Sequence, residues 1–293
     1  MQQLIGFDDL QQQLLRLFWQ QKLPHAIMLS GSKGIGKATF AQQFASLIDS
    51  ETKIISKDNN KTAITVDQIR QANDFFYQNS IAKNCKVLII DSACTLNKSA
   101  SNALLKPLEE PIANTFLLLI AHNLAKVLPT ILSRCQIFKI PQLTKQQFYL
   151  AINNSDFSDQ DIEFLSKICS NCPALAMQLG KKLLEFYKIF LESLQQNNLN
   201  NKLYQIAQHK DFDFLIFELV MQHFFNQWLK YKAKLNNISY FFNEYIVFDS
   251  LLFDIAQVID LQDFLNQRIR DIKIFHLDKK LAIINIFNRI IYV

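Results

Sequence analysis

A parallel α/β domain followed by helical domains is the fold class that three features of this 293-residue chain predict. Short apolar runs alternate with amphipathic stretches through its first half, the pattern of βαβ units around a parallel sheet. Three of the five glycines, Gly31, Gly34 and Gly36, crowd into six residues and mark one special backbone site. After Gly180 and Pro173 there is no further glycine or proline, so the last 113 residues hold neither strong helix breaker.

Taken in order, the apolar runs Ala26 to Leu29, Val87 to Ile90, Phe116 to Ile120 and Ile137 to Ile140 predict strands. Between and around them, Leu10 to Trp19, Ala38 to Ile48, Val66 to Tyr77 and Ser99 to Glu109 carry helical periodicity. A break at Ile140-Pro141 and a restart at Thr144, a suitable N-cap, place a boundary there. Residues 144 to about 181 then form a short helical unit and the remainder a separate bundle. In that bundle, apolar residues recur at helical spacing in Phe214, Phe217, Leu219, Val220 and Phe224, and again in Phe248, Leu251, Leu252, Ile255 and Ile259. Its aromatic residues, as in Tyr240-Phe241-Phe242, are read as core or subunit interface rather than as platforms for stacked bases.

Composition excludes several classes. With 49% hydrophobic and 19% charged residues the chain is neither disordered nor collagen-like, and five cysteines over this length do not make a disulfide scaffold. Apolar runs such as Phe116 to Ala121 are too short to cross a bilayer, and the N-terminus shows no secretory pattern, so a cytoplasmic protein away from membranes is expected. The net charge of +5 lies wholly in residues 1 to 141, which hold 15 basic and 10 acidic side chains; this is a weak pointer to polyanions.

Residues 31 to 37 read Gly-Ser-Lys-Gly-Ile-Gly-Lys, directly after an apolar run and directly before a helix. Such a Gly-x-x-x-x-Gly-Lys loop turns backbone N–H groups toward phosphates, while the lysine meets the outer phosphates and the helix N-terminus adds positive potential. Gly31, Gly34, Gly36 and Lys37 are therefore candidate ATP or ADP contacts. A Ser or Thr that ligates magnesium belongs next; here Ala38 stands in its place, with Thr39 one position late. Val87-Leu88-Ile89-Ile90-Asp91 fits a Walker B strand that ends in a metal-side acid, but Ser92 follows where a catalytic glutamate belongs. A serine hydroxyl does not act as a carboxylate base at neutral pH.

Several segments then point to a family. Pro24-His25-Ala26, the loop at 31 to 37, Val66-Asp67-Gln68-Ile69-Arg70, Lys86 to Asp91, the run Ser101 to Pro111 (Ser-Asn-Ala-Leu-Leu-Lys-Pro-Leu-Glu-Glu-Pro) and the run Leu128 to Gln136 (Leu-Pro-Thr-Ile-Leu-Ser-Arg-Cys-Gln) together resemble the bacterial DNA polymerase III clamp loader, most of all its delta prime subunits. The resemblance spans about residues 5 to 140. It implies an AAA+ module at 1–141, a helical lid at 142–183 and a helical collar at 184–293. It also implies partners: motor subunits of the gamma/tau kind and a delta subunit in a hetero-oligomer, and through it the sliding clamp and primed DNA. In that family an arginine in a Ser-Arg-Cys motif serves the nucleotide of the adjacent subunit, which assigns Arg134 the role of an arginine finger in trans. Such a subunit is part of the DNA-directed DNA polymerase III holoenzyme without itself being a polymerase.

Departures from the family pattern refine the expectation. Residues 49 to 65 contain no cysteine where relatives often carry a four-cysteine zinc module, so no zinc is expected. Pro107 replaces the usual threonine and is expected to kink or shift its helix. The stretch Asn171-Cys172-Pro173-Ala174-Leu175 lacks the sensing arginine of motor subunits. A subunit that does not hydrolyse ATP is the reading these features favour; an ATP-hydrolysing AAA+ motor, of a clamp loader or of a replication initiator, and a purely structural protein remain the alternatives. Cys169-x-x-Cys172 lacks a second pair and is read, with Cys85, Cys94 and Cys135, as inert. His122 or Asn123 lies near the phosphate-sensing position of active relatives, with a plain polar loop role favoured.

Overall fold

A computed structural model of the chain describes residues 4–58, 63–77, 83–153, 155–196, 213–236, 238–275 and 278–291. They form two compact units, one drawn from residues 1–153 and 171–174, the other from 154–170 and 175–293. Residues 59–62, within the stretch expected to hold no zinc module, lie outside the described residues.

The first unit runs α1 (Asp8–Trp19), β1 (Ala26–Ser30), α2 (Lys37–Leu47), β2 (Ser50–Ser56), α3 (Val66–Tyr77), β3 (Cys85–Asp91), α4 (Lys98–Glu109), β4 (Thr115–Ala121), α5 (Pro129–Leu132), β5 (Gln136–Lys139) and α6 (Lys145–Ile152). All five strands are parallel, in the order β2-β3-β4-β1-β5. Successive residues of the central strands serve opposite faces. Met28, Leu88, Ile90, Leu117 and Leu119 pack with α3 and α4 residues such as Phe75 and Leu104. Ile27, Leu29, Val87, Ile89, Leu118 and Ile120 pack with Phe40 and Phe44 of α2. Burial on both faces is why these strands read as unbroken apolar runs.

Strand β2 has no counterpart in the sequence reading. It lies at the sheet edge, where of its residues Ser-Glu-Thr-Lys-Ile-Ile-Ser Ile55 is buried and Ile54 is exposed, so its composition carries no apolar run. Pro107 sits inside α4, and the helix continues through it to Glu109. A proline cannot donate to the carbonyl four residues back, which here is Ala103. The Asn73 side-chain amide on α3 donates to that carbonyl instead, at 3.2 Å. At the start of α6, Thr144 forms the expected cap, with Gln147 completing a capping box.

The second unit is helical: α7 (Asp159–Ile168), most of α8 (Pro173–Gln195), α9 (Phe214–Lys232), α10 (Glu244–Ser250), α11 (Ile255–Phe275) and α12 (Lys279–Ile291). Its core is aromatic: Phe164 stacks on Tyr187, and Phe190, Phe217 and Phe224 are fully buried. Glu244, without any solvent exposure, accepts hydrogen bonds from the Tyr187 hydroxyl, from His223 Nε2 at 2.9 Å and from the Phe241 N–H at 2.9 Å. Three donors satisfy a carboxylate that burial alone would penalise heavily. Gly180 lies in the middle of α8, where a Cβ would come within 2.7 Å of the Phe157 ring, and α8 runs unbroken past residues 183 and 184.

One helical reading is corrected. The apolar spacing from Phe248 to Ile259 does not belong to one helix: α10 ends at Ser250, residues 251 to 254 are not helical, and Leu252 is 95% exposed. The break has a local cause in Asp254 and Gln257, whose side chains cap each other's backbone N–H groups at 2.8 Å each and begin α11 afresh. Lys232 Nζ also takes the Leu251 carbonyl, at 2.9 Å. Among the described residues, no helix is long and apolar enough to cross a membrane.

The Asn73–Ala103 bond predicts coupling between α3 and α4. Asn73→Ala leaves a helix carbonyl unsatisfied and lowers unfolding stability by about 1–2 kcal/mol. In a Pro107→Ala background the restored backbone N–H takes over and the loss shrinks, a non-additivity that urea denaturation of the four variants measures.

Candidate nucleotide-binding site

Strand β1 delivers the chain into the glycine loop, and α2 begins at Lys37. Gly34 and Gly36 have φ of +85° and +101°, the left-handed region that L side chains rarely enter. Gly31 is needed for closeness instead, since a Cβ there would lie 2.8 Å from the Ile140 carbonyl oxygen.

Lys37 is only 3% exposed, and its ammonium donates to the carbonyls of Gly31 (2.8 Å) and Ser32 (2.7 Å). Burial lowers its pKa from 10.5 to about 8, with Asp91 pulling the other way. Asp91 closes β3 at the level of Ile120 on β4, one rung from the pair Ser30 and Ala121, so β1, β3 and β4 bring Lys37, Asp91 and His122 to one edge of the sheet. Burial, and then the charge of Lys37, push the His122 pKa below its usual value. Its Nδ1 is buried and meets no hydrogen-bond partner among the described residues.

The two positions that break the catalytic pattern are spent on structure. Ser92 is buried, and its hydroxyl accepts from the Cys94 N–H at 3.3 Å, capping the 3₁₀ turn Ala93–Thr95. Ala38 packs partly buried against the α2 core, while Thr39, about 100° further round the helix, is exposed. Of the two candidates after β4, Asn123 caps the Leu124–Lys126 turn through the Ala125 N–H at 3.0 Å. That leaves His122 as the side chain in the site. Sequence reasoning favoured a plain polar loop role for both; the structure adds the register, in which Ala121 pairs with Ser30 at the mouth of the glycine loop.

Cysteines frame this edge. Cys94 Sγ accepts from the N–H groups of His122 (3.3 Å) and Asn123 (3.4 Å). Cys172 donates to the Lys33 carbonyl at 3.4 Å, and Asn171 to the Leu143 carbonyl at 2.9 Å. Burial pushes the thiols of Cys85 and Cys135 up to about 11 and about 12, which keeps them protonated. Among the described residues none of the cysteines forms a disulfide, and no group of three or more His, Cys, Asp or Glu residues is placed to hold a metal ion.

Arg134 lies at the other edge. It follows α5 and precedes β5, whose Gln136 pairs with Ile27 near the start of β1. The four residues of β5 alone set it about 13 Å or more from the glycine loop along the strand direction. Its Nη2 meets Glu109 Oε1 at 2.7 Å, and its Nη1 donates to the Thr130 carbonyl (3.0 Å) and to Ser133 Oγ (3.4 Å). The α4 end that carries Glu109 is itself fastened: His25 Nε2 donates to the Leu108 carbonyl at 3.0 Å.

A five-stranded parallel sheet in this order, with a Gly-x-x-x-x-Gly-Lys loop leaving β1 and an acid ending β3, defines a P-loop module of the AAA+ class. Residues 7–144 match the family model described as DNA polymerase III, delta subunit. The chain is 30% identical to the DNA polymerase III subunit delta' of Pseudomonas aeruginosa, covering 55% of this chain and 60% of that protein. To the Haemophilus influenzae subunit delta' it is 35% identical, over 49% of this chain and 40% of that one. The Bacillus subtilis subunit tau is 32% identical over 49% of this chain and 29% of its own length. The chain thus spans about half the length of the delta' relatives it matches. A solved structure, a gamma subunit-related protein of DNA polymerase III from Thermotoga maritima, aligns over 96% of this chain and 97% of its own at 19% identity and a TM-score of 0.48. Over residues 7–144, then, the chain is similar to DNA polymerase III subunits of the delta' type.

The buried ammonium has a pH signature. Folded Lys37 gives up its proton near pH 8, and the unfolded residue near 10.5. Over that window the unfolded chain binds more protons, so this residue's contribution raises stability as pH climbs from about 8 toward 10.5. Urea midpoints of the parent protein should therefore rise relative to those of Lys37→Met across the window and run parallel to them below it.

Proposed function

We propose that the protein is a delta prime subunit of a bacterial clamp loader, acting in DNA replication in the cytoplasm. In this reading 1–141 is the nucleotide module, 142–183 the lid and 184–293 the collar. It holds ATP or ADP without hydrolysing it, and it presents Arg134 to the nucleotide of an adjacent gamma/tau-type motor subunit. The partners are those motors and a delta subunit, and through the assembly the sliding clamp and primed DNA.

One observation carries the non-hydrolysing part: the loop and Lys37 are in place, while the Ser92 hydroxyl that stands where a general base belongs is used up as a cap. Loss of a positioned base typically costs on the order of 10²- to 10⁴-fold. The trans role of Arg134 draws support from topology, because the residue sits at the sheet edge opposite its own glycine loop. A guanidinium is permanently charged, and its planar fork matches phosphate oxygens that gain charge during phosphoryl transfer. Support for the collar comes from apolar side chains exposed in the second unit, including Tyr245, Ile246, Leu252, Ile255 and Ile259.

Two measurements test the reading. The isolated chain binds ADP or ATP in a calorimeter, loses that binding on Lys37→Ala, and shows no turnover above background; steady turnover abolished by Lys37→Ala points to a motor instead. In a loader reconstituted with its motor and delta subunits, Arg134→Ala leaves assembly intact and depresses DNA- and clamp-stimulated ATPase. The full effect of a trans finger is roughly 10³- to 10⁵-fold at one site, diluted in the total by the other sites. Unchanged ATPase makes Arg134 a surface residue.

A further inference from the structure

We propose that Glu109 holds Arg134 in a parked position, from which the nucleotide of a neighbouring subunit must draw it. The proposal rests on the reading of Arg134 as a finger in trans and adds what governs its availability.

Both terminal nitrogens of the guanidinium are engaged within the chain: Nη2 by Glu109 Oε1 at 2.7 Å, and Nη1 by the Thr130 carbonyl at 3.0 Å and Ser133 Oγ at 3.4 Å. The fork edge that would grip two phosphate oxygens is therefore already occupied. The two charged side chains remain 37% and 49% exposed, so the pair is open to a competitor. Exposed ion pairs of this kind are weak, and a phosphate, with more charge and more acceptor oxygens than a carboxylate, can displace Glu109.

The backbone under both residues is held, so parking and release are movements of the side chains, and the long guanidinium arm is the one with reach beyond the chain. Glu109 is the last residue of α4, and the preceding carbonyl, Leu108, is held by His25 at the entry to β1. One turn of α4 further back, the Ala103 carbonyl is tied to Asn73 of α3. Arg134 stands in the short turn from α5 to β5, its own N–H bonded to the Ile131 carbonyl at 3.1 Å. Helix α4 itself follows the 3₁₀ turn that leaves Asp91, so the element that carries the parking acid starts beside the chain's own nucleotide site.

The test uses the reconstituted loader with four forms of this subunit: parent, Glu109→Gln, Arg134→Ala and the double variant, with Glu110→Gln as a control for simple loss of charge. Removing the competitor should raise the ATPase rate in the absence of clamp and DNA by about two- to fivefold, the range that the strength of an exposed ion pair allows. Glu110→Gln should not. The Glu109→Gln gain should vanish when Arg134 is already alanine, a non-additivity that a merely structural role does not produce. If Arg134→Ala depresses stimulated turnover but Glu109→Gln leaves the unstimulated rate unchanged or lowers it, parking is overturned and the finger stands. A gain that persists without Arg134 also overturns it. If Arg134→Ala changes nothing, the finger reading falls and takes the proposal with it.

Discussion

A parallel sheet imposes one constraint from which the rest follows: every strand enters at one edge and leaves at the other. In this chain the exit edge gathers the glycine loop, Asp91 and His122, because the loops leaving β1, β3 and β4 all open there. The entry edge gathers the end of α4, the turn before β5 and the His25 that joins β1. In the function proposed above, two chemistries, holding phosphate and presenting a cation, are thereby separated by the length of the strands. No single loop has to perform both.

The two edges are joined by α4, which departs from the exit edge and ends at the entry edge. Its integrity depends on groups outside itself. An amide from α3 supplies the hydrogen bond that Pro107 cannot, and an imidazole from the start of β1 takes the Leu108 carbonyl. Packing of Ala100, Leu104 and Leu108 into the sheet does the rest, since these residues are buried in the same core as Met28 and Leu88. The helix is thus held along its length and at its last turn, where Glu109 projects toward Arg134.

Much of this was legible in the sequence, and the exceptions share a cause. The central strands announced themselves because burial on both faces forces unbroken apolar runs. The glycine loop did so because positive φ restricts the choice of residue at Gly34 and Gly36. Strand β2 was hidden: an edge strand keeps one side in water, and Ser-Glu-Thr-Lys-Ile-Ile-Ser has no period to read. The division of the Phe248 to Ile259 run was hidden as well, because apolar spacing drowned out the Asp254 and Gln257 cap that restarts the helix. In the site, Lys37 and Asp91 followed from their motifs, whereas the place of His122 depended on which strand lies beside β1. Pairing of β1 with β4 joins residues some ninety positions apart, and no local pattern encodes it.

The Asn73 contact with the Ala103 carbonyl also has a meaning for how this sequence can change. A proline at position 107 would be an isolated defect if nothing answered it, so Pro107 and Asn73 make sense only as companions. Either one altered alone leaves a polar group stranded or a donor idle, while both altered together leave α4 as an ordinary helix. The pair is a small ratchet in sequence space: once the amide is present the proline is tolerated, and once the proline is present the amide can no longer be given up freely.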